Sequence, residues 1–81
     1  MAYKMVVQLK FFAGLRNYLP AEPFPYPAEV KEGATVADVL ALYKVPEDKP
    51  HILLLNGVHC DLAARLSDGD TLSLFPPVAG G

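Results

Sequence analysis

Residues Leu66–Gly81 read LSDGDTLSLFPPVAGG, and this stretch decides how the rest of the chain is read. Ser67-Asp68-Gly69-Asp70 has turn chemistry: short polar side chains around a glycine able to take a positive φ. Thr71–Phe75 then alternates, so Leu72 and Leu74 face inward while Thr71, Ser73 and Phe75 face outward. Pro76 and Pro77 remove two backbone donors and stop any further pairing. Val78-Ala79-Gly80-Gly81 is left over and reads as a flexible C-terminal tail. Gly80 and Gly81 carry no Cβ, so backbone and carboxylate can enter a channel too narrow for other residues. With Gly81 last, its α-carboxylate, of pKa about 3.5, is ionised near neutral pH. An ionised carboxylate can attack the α-phosphate of ATP and become an acyl adenylate. Gly81 is therefore the candidate reactive residue, and Val78, Ala79 and Gly80 form the segment that threads it into an enzyme.

Upstream of that strand, His51–Leu55 reads as another, and Asn56-Gly57 is the strongest short-range hairpin signal in a sequence. Val58–Leu62 is expected to return antiparallel. A two-residue turn sets His51 opposite Leu62, Leu54 opposite His59 and Leu53 opposite Cys60. His59 then points away from His51 and Cys60, which sit diagonally about 7–8 Å apart. Two groups on one face fall short of the three or four converging ligands that zinc requires. Surface histidines and a small apolar cysteine are the expectation, with no metal site.

At the other end, Met5–Phe12 reads MVVQLKFF, with Met5, Val7, Leu9 and Phe11 on one face. Ala13–Leu19 is expected to form a short helical turn stopped by Pro20. Pro20–Pro27 holds four prolines in eight residues, which permits an edge strand or extended loop and excludes a helix or central strand. Pairing is expected to recover at Ala28–Lys31, followed by a turn at Glu32-Gly33. Thr35–Lys44 is the one clear helix, with Thr35 as N-cap, Asp38 at capping-box spacing, and Val36, Val39, Leu40 and Tyr43 on one stripe. Pro46 ends it. The order is strand, edge strand, helix, hairpin, strand. That is an α+β domain: an open mixed sheet with one main helix packed on one face.

Composition narrows the function classes. The chain has 81 residues, 52% of them hydrophobic and 20% charged, with a formal net charge of −2. That is one small domain, taken as residues 1–77 with 78–81 as its tail, and it has enough apolar matter for a core. The basic footprint of a nucleic-acid binder is absent. The longest strongly apolar run is Ile52–Leu55, far below the roughly 20 residues of a bilayer span, so no membrane association is expected. Gln8 and Lys10 interrupt the first apolar run, so the N-terminus does not read as a signal peptide, and a cytoplasmic location is expected. One cysteine excludes an intramolecular disulfide framework. Ser-His-Asp and Cys-His arrangements and glycine-rich phosphate loops are missing, and Asp68 and Asp70 read as turn residues. The domain therefore holds no catalytic residue of its own. The aromatics are more telling. Phe12 and Phe75 both fall on the outward face by alternation, beside Pro76 and Pro77 at the root of the tail. Such an apolar patch marks a protein interface. The competing expectation is that the short helix near Leu15 covers Phe12 and that Pro76 covers Phe75.

Three segments, LKFFAGLR (Leu9–Arg16), LLLNG (Leu53–Gly57) and LSDGDTLSLFPPVAGG (Leu66–Gly81), carry a resemblance to a known family. In them the chain resembles the ThiS/MoaD family of ubiquitin-like sulfur carriers, and among these the molybdopterin synthase small-subunit type. The resemblance implies a β-grasp, ubiquitin-like fold. It implies that a ubiquitin-activating-type (MoeB-like) adenylating enzyme uses ATP and magnesium to adenylate Gly81. Sulfur from a persulfide then displaces AMP and leaves a thiocarboxylate. The tail next enters the large (MoaE-like) subunit of molybdopterin synthase and donates that sulfur for the molybdopterin dithiolene. No cofactor is bound by the carrier. Hydrophobic residues near the tail contact both partners in the family, and Phe12 and Phe75, with Pro76 and Pro77 adjoining, occupy matching positions. His59 stands at a family contact position that is often aliphatic, and the PFPYP segment is this chain's own. Three alternatives share the tail or the fold: a sulfur carrier for thiamine thiazole synthesis, a ubiquitin-like protein modifier, and an interaction module with an inert tail. Relatives that serve thiamine synthesis usually lack the double proline of FPPVAGG.

Overall fold

The computed structural model describes residues 4–77. Strand β1 (Lys4–Phe11) leads into a 3₁₀ helix (Ala13–Tyr18), then come β2 (Tyr26–Lys31), helix α1 (Val36–Leu42), β3 (Ile52–Leu55), β4 (Val58–His59) and β5 (Thr71–Phe75). The strands form one sheet in the order β2-β1-β5-β3-β4. β1 and β5 run parallel at its centre, and the other pairs are antiparallel. This is the α+β, mixed-sheet arrangement expected from the element order. No helix among the described residues is long and apolar enough to cross a membrane.

Alternation explains which face of the sheet is covered. Met5, Val7, Leu9 and Phe11 of β1 are all buried, and the register sets Leu72 and Leu74 beside Leu9 and Phe11. Leu53 and Leu55 of β3 extend the same row, and Ala28 and Val30 of β2 complete it on the other side. Helix α1 brings Val36, Val39 and Leu40 onto this face. Among the described residues no polar side chain is buried, so apolar burial stabilises the core without an internal network. Truncating a residue such as Leu72 to alanine costs about 2–5 kcal/mol.

The capping box is present as the sequence predicts. The Thr35 hydroxyl accepts from the Asp38 N–H at 3.3 Å, and the Asp38 carboxylate accepts from the Thr35 N–H at 2.9 Å. The helix is shorter than predicted, ending at Leu42 rather than Lys44. Lys44 takes a left-handed conformation (φ 60°), its N–H bonds to the Ala41 carbonyl, and the Val45 N–H bonds to the Leu40 carbonyl at 2.8 Å. That is a Schellman closure with lysine where glycine is usual, and burial of Val45 against the core holds it. Pro46 follows the stop rather than causing it.

Strand boundaries differ as well: β1 is Lys4–Phe11 rather than Met5–Phe12, and β3 begins at Ile52 rather than His51. Pairing in β2 begins at Tyr26, so Pro27 lies inside a strand, opposite Gln8. Even-numbered residues at the end of β1 direct their donors the other way, Gln8 N–H to Asp70 and Phe12 N–H to Leu74. The position Pro27 occupies therefore turns its missing N–H to solvent, which an edge strand tolerates. The return strand is only Val58–His59, extended by one bond from the Cys60 N–H to the Leu53 carbonyl. Leu54 does face His59, but Leu62 does not pair with His51. The His51 N–H bonds instead to the Phe75 carbonyl at 2.7 Å. Meanwhile the Leu62 and Ala64 carbonyls accept from Ala37 and Val36, the first N–H groups of α1. Those helical donors need partners, and their demand draws residues 61–66 away from the sheet.

Candidate functional site

The outward face of the sheet carries the candidate site. Phe12 follows β1 and Phe75 ends β5, and because these strands are parallel both aromatics emerge at the same pole. Their rings lie 4.5 Å apart between centroids, at an interplanar angle of 2°. Both are half-buried. In the short helix suggested as a cover for Phe12, Leu15 points into the core. Ile52 sits directly across from Phe75, and a shallow open groove is lined by Phe12, Gly14, Ile52, Phe75, Pro76 and Pro77. Leu54 continues the apolar surface toward Ser73 and His59, while Lys10 pairs with Ser73 from the other side. The outward aromatic patch and the proline step thus lie together.

The expectations on Val78, Ala79, Gly80 and Gly81 fall outside the described residues. Covalent geometry still limits them: four residues beyond Pro77 extend at most about 14 Å. A partner that handles Gly81 must come that close to the patch.

The structure adds two residues that the sequence reading passed over. Phe24, in the proline-rich segment, meets the Phe12 ring edge-on at 5.8 Å and 79°. The Arg16 guanidinium lies 4.7 Å from the centroid of Phe24. A phenylalanine placed between prolines was the available signal, since an apolar side chain on a segment unable to enter the core has to find a surface partner. No spacing rule links residues 12, 16 and 24.

The other chemistry-bearing residues are dispersed. His59 is exposed on the outward face, His51 is exposed ahead of β3, and Cys60 packs half-buried against the core. Burial pushes the Cys60 thiol up from its ordinary pKa, and the neighbouring Asp61 charge adds to the rise. Asp70 is occupied structurally: its carboxylate accepts from Asn56 Nδ2 at 3.0 Å and from the Ser67 N–H at 2.8 Å. Asp68 accepts from the Val6 N–H at 2.8 Å. These turn carboxylates hold loops against strands. The single ion pair among the described residues, Lys4 with Glu29 at 3.8 Å, is exposed on both sides and contributes little.

A small mixed sheet with parallel central strands, one crossing helix and an apolar outward face at the root of a Gly-Gly segment defines a ubiquitin-like β-grasp protein. The model of the ThiS family matches residues 9–81, and the chain belongs to that family. It is 38% identical to small archaeal modifier protein 3 of Haloferax volcanii, over 95% of this chain and all of that protein. The crystal structure of SAMP1 from Haloferax volcanii superposes with a TM-score of 0.69 at 28% identity, covering 94% of this chain and 99% of that one. A chain of the complex of subunits 1 and 2 of molybdopterin-converting factor from Helicobacter pylori gives a TM-score of 0.58 at 27% identity, covering 95% and 100%. The β-grasp expectation therefore holds. Among the functional readings, these likenesses favour the protein modifier over the molybdopterin subunit that the sequence placed first.

Proposed function

We propose that the chain is a ubiquitin-like modifier activated at Gly81. The observation carrying this reading is the 38% identity to a small archaeal modifier protein across that protein's whole length. A ubiquitin-activating-type enzyme, using ATP and magnesium in the cytoplasm, adenylates the Gly81 carboxylate with loss of pyrophosphate. A lysine amine of a target protein then attacks the acyl carbon, AMP leaves, and an isopeptide bond forms. The folded body supplies no acid, base or nucleophile. Phe12, Phe75, Pro76 and Pro77 dock and aim the segment Val78–Gly81, whose glycines let it enter a narrow channel. A second reading, sulfur donation to a molybdopterin precursor, is supported by the likeness to a chain of the molybdopterin-converting factor complex. It shares the adenylate and differs in the nucleophile: a persulfide sulfur attacks the acyl carbon, AMP leaves, and a second thiol cleaves the resulting acyl disulfide, releasing a disulfide and leaving Gly81 as a thiocarboxylate.

One experiment separates them. The protein is incubated with the adenylating enzyme of its host, ATP, magnesium, a persulfide donor and host proteins. Denaturing gels and intact mass spectrometry are then read. A ladder of heavier species supports the modifier reading. Replacement of one oxygen by sulfur with no ladder supports the sulfur donor instead. An unchanged mass with no ladder overturns both. A variant extended by one residue after Gly81 is expected to be inert in either reaction while remaining folded.

A further inference from the structure

Phe24 is 44% exposed, yet it is held on two sides. Phe12 meets its ring edge-on, and Arg16 lies over its face. Pro20, Pro23, Pro25 and Pro27 surround it in sequence, so the segment has little backbone freedom left to lose on binding. Arg16 forms no ion pair among the described residues. Arg16, Phe24, Phe12 and Phe75 thus make a continuous row that begins in an uncompensated cation and ends two residues before Pro77.

The occupant of this row follows from reach and charge. An enzyme that acts on Gly81 comes within about 14 Å of Pro77, since four residues extend no farther. Its surface then spreads over Phe75 and Phe12, and Phe24 and Arg16 are the next groups it meets. A guanidinium stacked on an aromatic face keeps its N–H edge free for a carboxylate, which an ammonium cannot match in the same geometry. We propose that the Arg16–Phe24 pair is a second docking contact for the adenylating enzyme, which sets a carboxylate against Arg16 and an apolar side chain against Phe24. The inference rests on the reading that Gly81 is adenylated. It adds a polar, partner-selecting contact to the apolar one.

The test is ATP–pyrophosphate exchange catalysed by the host's adenylating enzyme, with this protein as the varied substrate. Phe24→Ala and Arg16→Glu are each expected to raise KM about tenfold or more, with kcat held within about twofold. Arg16→Lys falls between, because it keeps the charge and loses the fork. Salt raises KM for the unaltered protein and lowers it for Arg16→Glu, because it screens an attraction in the first and a repulsion in the second. Phe24→Leu, which keeps apolar bulk, gives the aromatic contribution should Phe24→Ala unfold. Leu42→Ala, an exposed change on the helix side, is the control and leaves KM unchanged. Wild-type KM in folded Arg16 and Phe24 variants overturns the contact while leaving adenylation standing. Absence of exchange with the unaltered protein overturns the adenylation reading, and this contact with it.

Discussion

Phe12 and Phe75, at opposite ends of the sequence, lie with their rings 2° from parallel and their centroids 4.5 Å apart. Parallel pairing of β1 with β5 brings them together, because both strands end at the same pole. The pair is expected to be energetically coupled. Phe12→Ala and Phe75→Ala each lower stability, and the double variant loses about 0.5–1.5 kcal/mol less than the two costs added. Urea unfolding of the four proteins measures this, and strictly additive costs would show that the stacking contributes nothing. Phe75→Ala is also expected to weaken binding to the adenylating enzyme by more than about 1 kcal/mol in a titration.

The hairpin turn makes a second case. Asn56 (φ 53°) and Gly57 (φ 82°) both occupy the left-handed region, the signature of a type I′ turn. Asn56 does more than turn: its Oδ1 accepts from the Thr71 N–H at 2.9 Å and its Nδ2 donates to Asp70 at 3.0 Å. A Cβ at Gly57 would meet no atom within 4 Å, so only backbone strain opposes it. Gly57→Ala is expected to cost about 1 kcal/mol. Asn56→Ala should cost more, about 2 kcal/mol, adding lost hydrogen bonds to the strain. Chemical denaturation ranks them, and the reverse order would remove the Asn56 side chain from the account.

The N-cap of α1 predicts a pH effect. The Thr35 N–H bonded to Asp38 is the main cause that lowers this carboxyl below its ordinary pKa. A carboxyl lowered in the folded state stabilises fully above the unfolded value of about 3.9, and that contribution fades as pH falls through the lower folded value. The stability gap between the unaltered protein and Asp38→Ala should therefore be open at neutral pH and close in acid. Urea midpoints measured across that range test it, and a gap that persists in strong acid would contradict the cap. Thr35→Ala, which removes the other half of the box, is expected to cost about 1 kcal/mol.

Cys60 is expected to react slowly. Burial raises its thiol pKa, so little thiolate is present near neutral pH, and its side chain packs against the core. Alkylation by iodoacetamide, followed by mass, should run slower than for a free cysteine and quicken as pH rises. A rate equal to that of free cysteine would mean that the site opens readily.

Local rules carried much of the fold. Alternation placed Phe11, Leu72 and Leu74 inside, and the Thr35–Asp38 spacing announced the cap, because these features depend on near neighbours. The return strand failed at Leu62 for a non-local reason. The first N–H groups of α1 claim the Leu62 and Ala64 carbonyls, and no hairpin rule contains that competition. Lys44 closed the helix early because packing of Val45 outweighed the preference for glycine. At the site, alternation placed Phe12 and Phe75 outward, whereas the Arg16–Phe24 contact arises where the proline segment happens to return.

The parallel pairing of β1 and β5 has an evolutionary corollary. The pole where Phe12, Phe75 and Pro76 meet is set by two central strands, whereas the proline-rich connection beside it hangs from the outer edge strand β2. That connection can drift in length and composition without disturbing how the central strands register. Rewriting residues 20–25 can thus reshape the surface around Phe24, while the pole where Pro76 leaves the sheet stays a fixed inheritance.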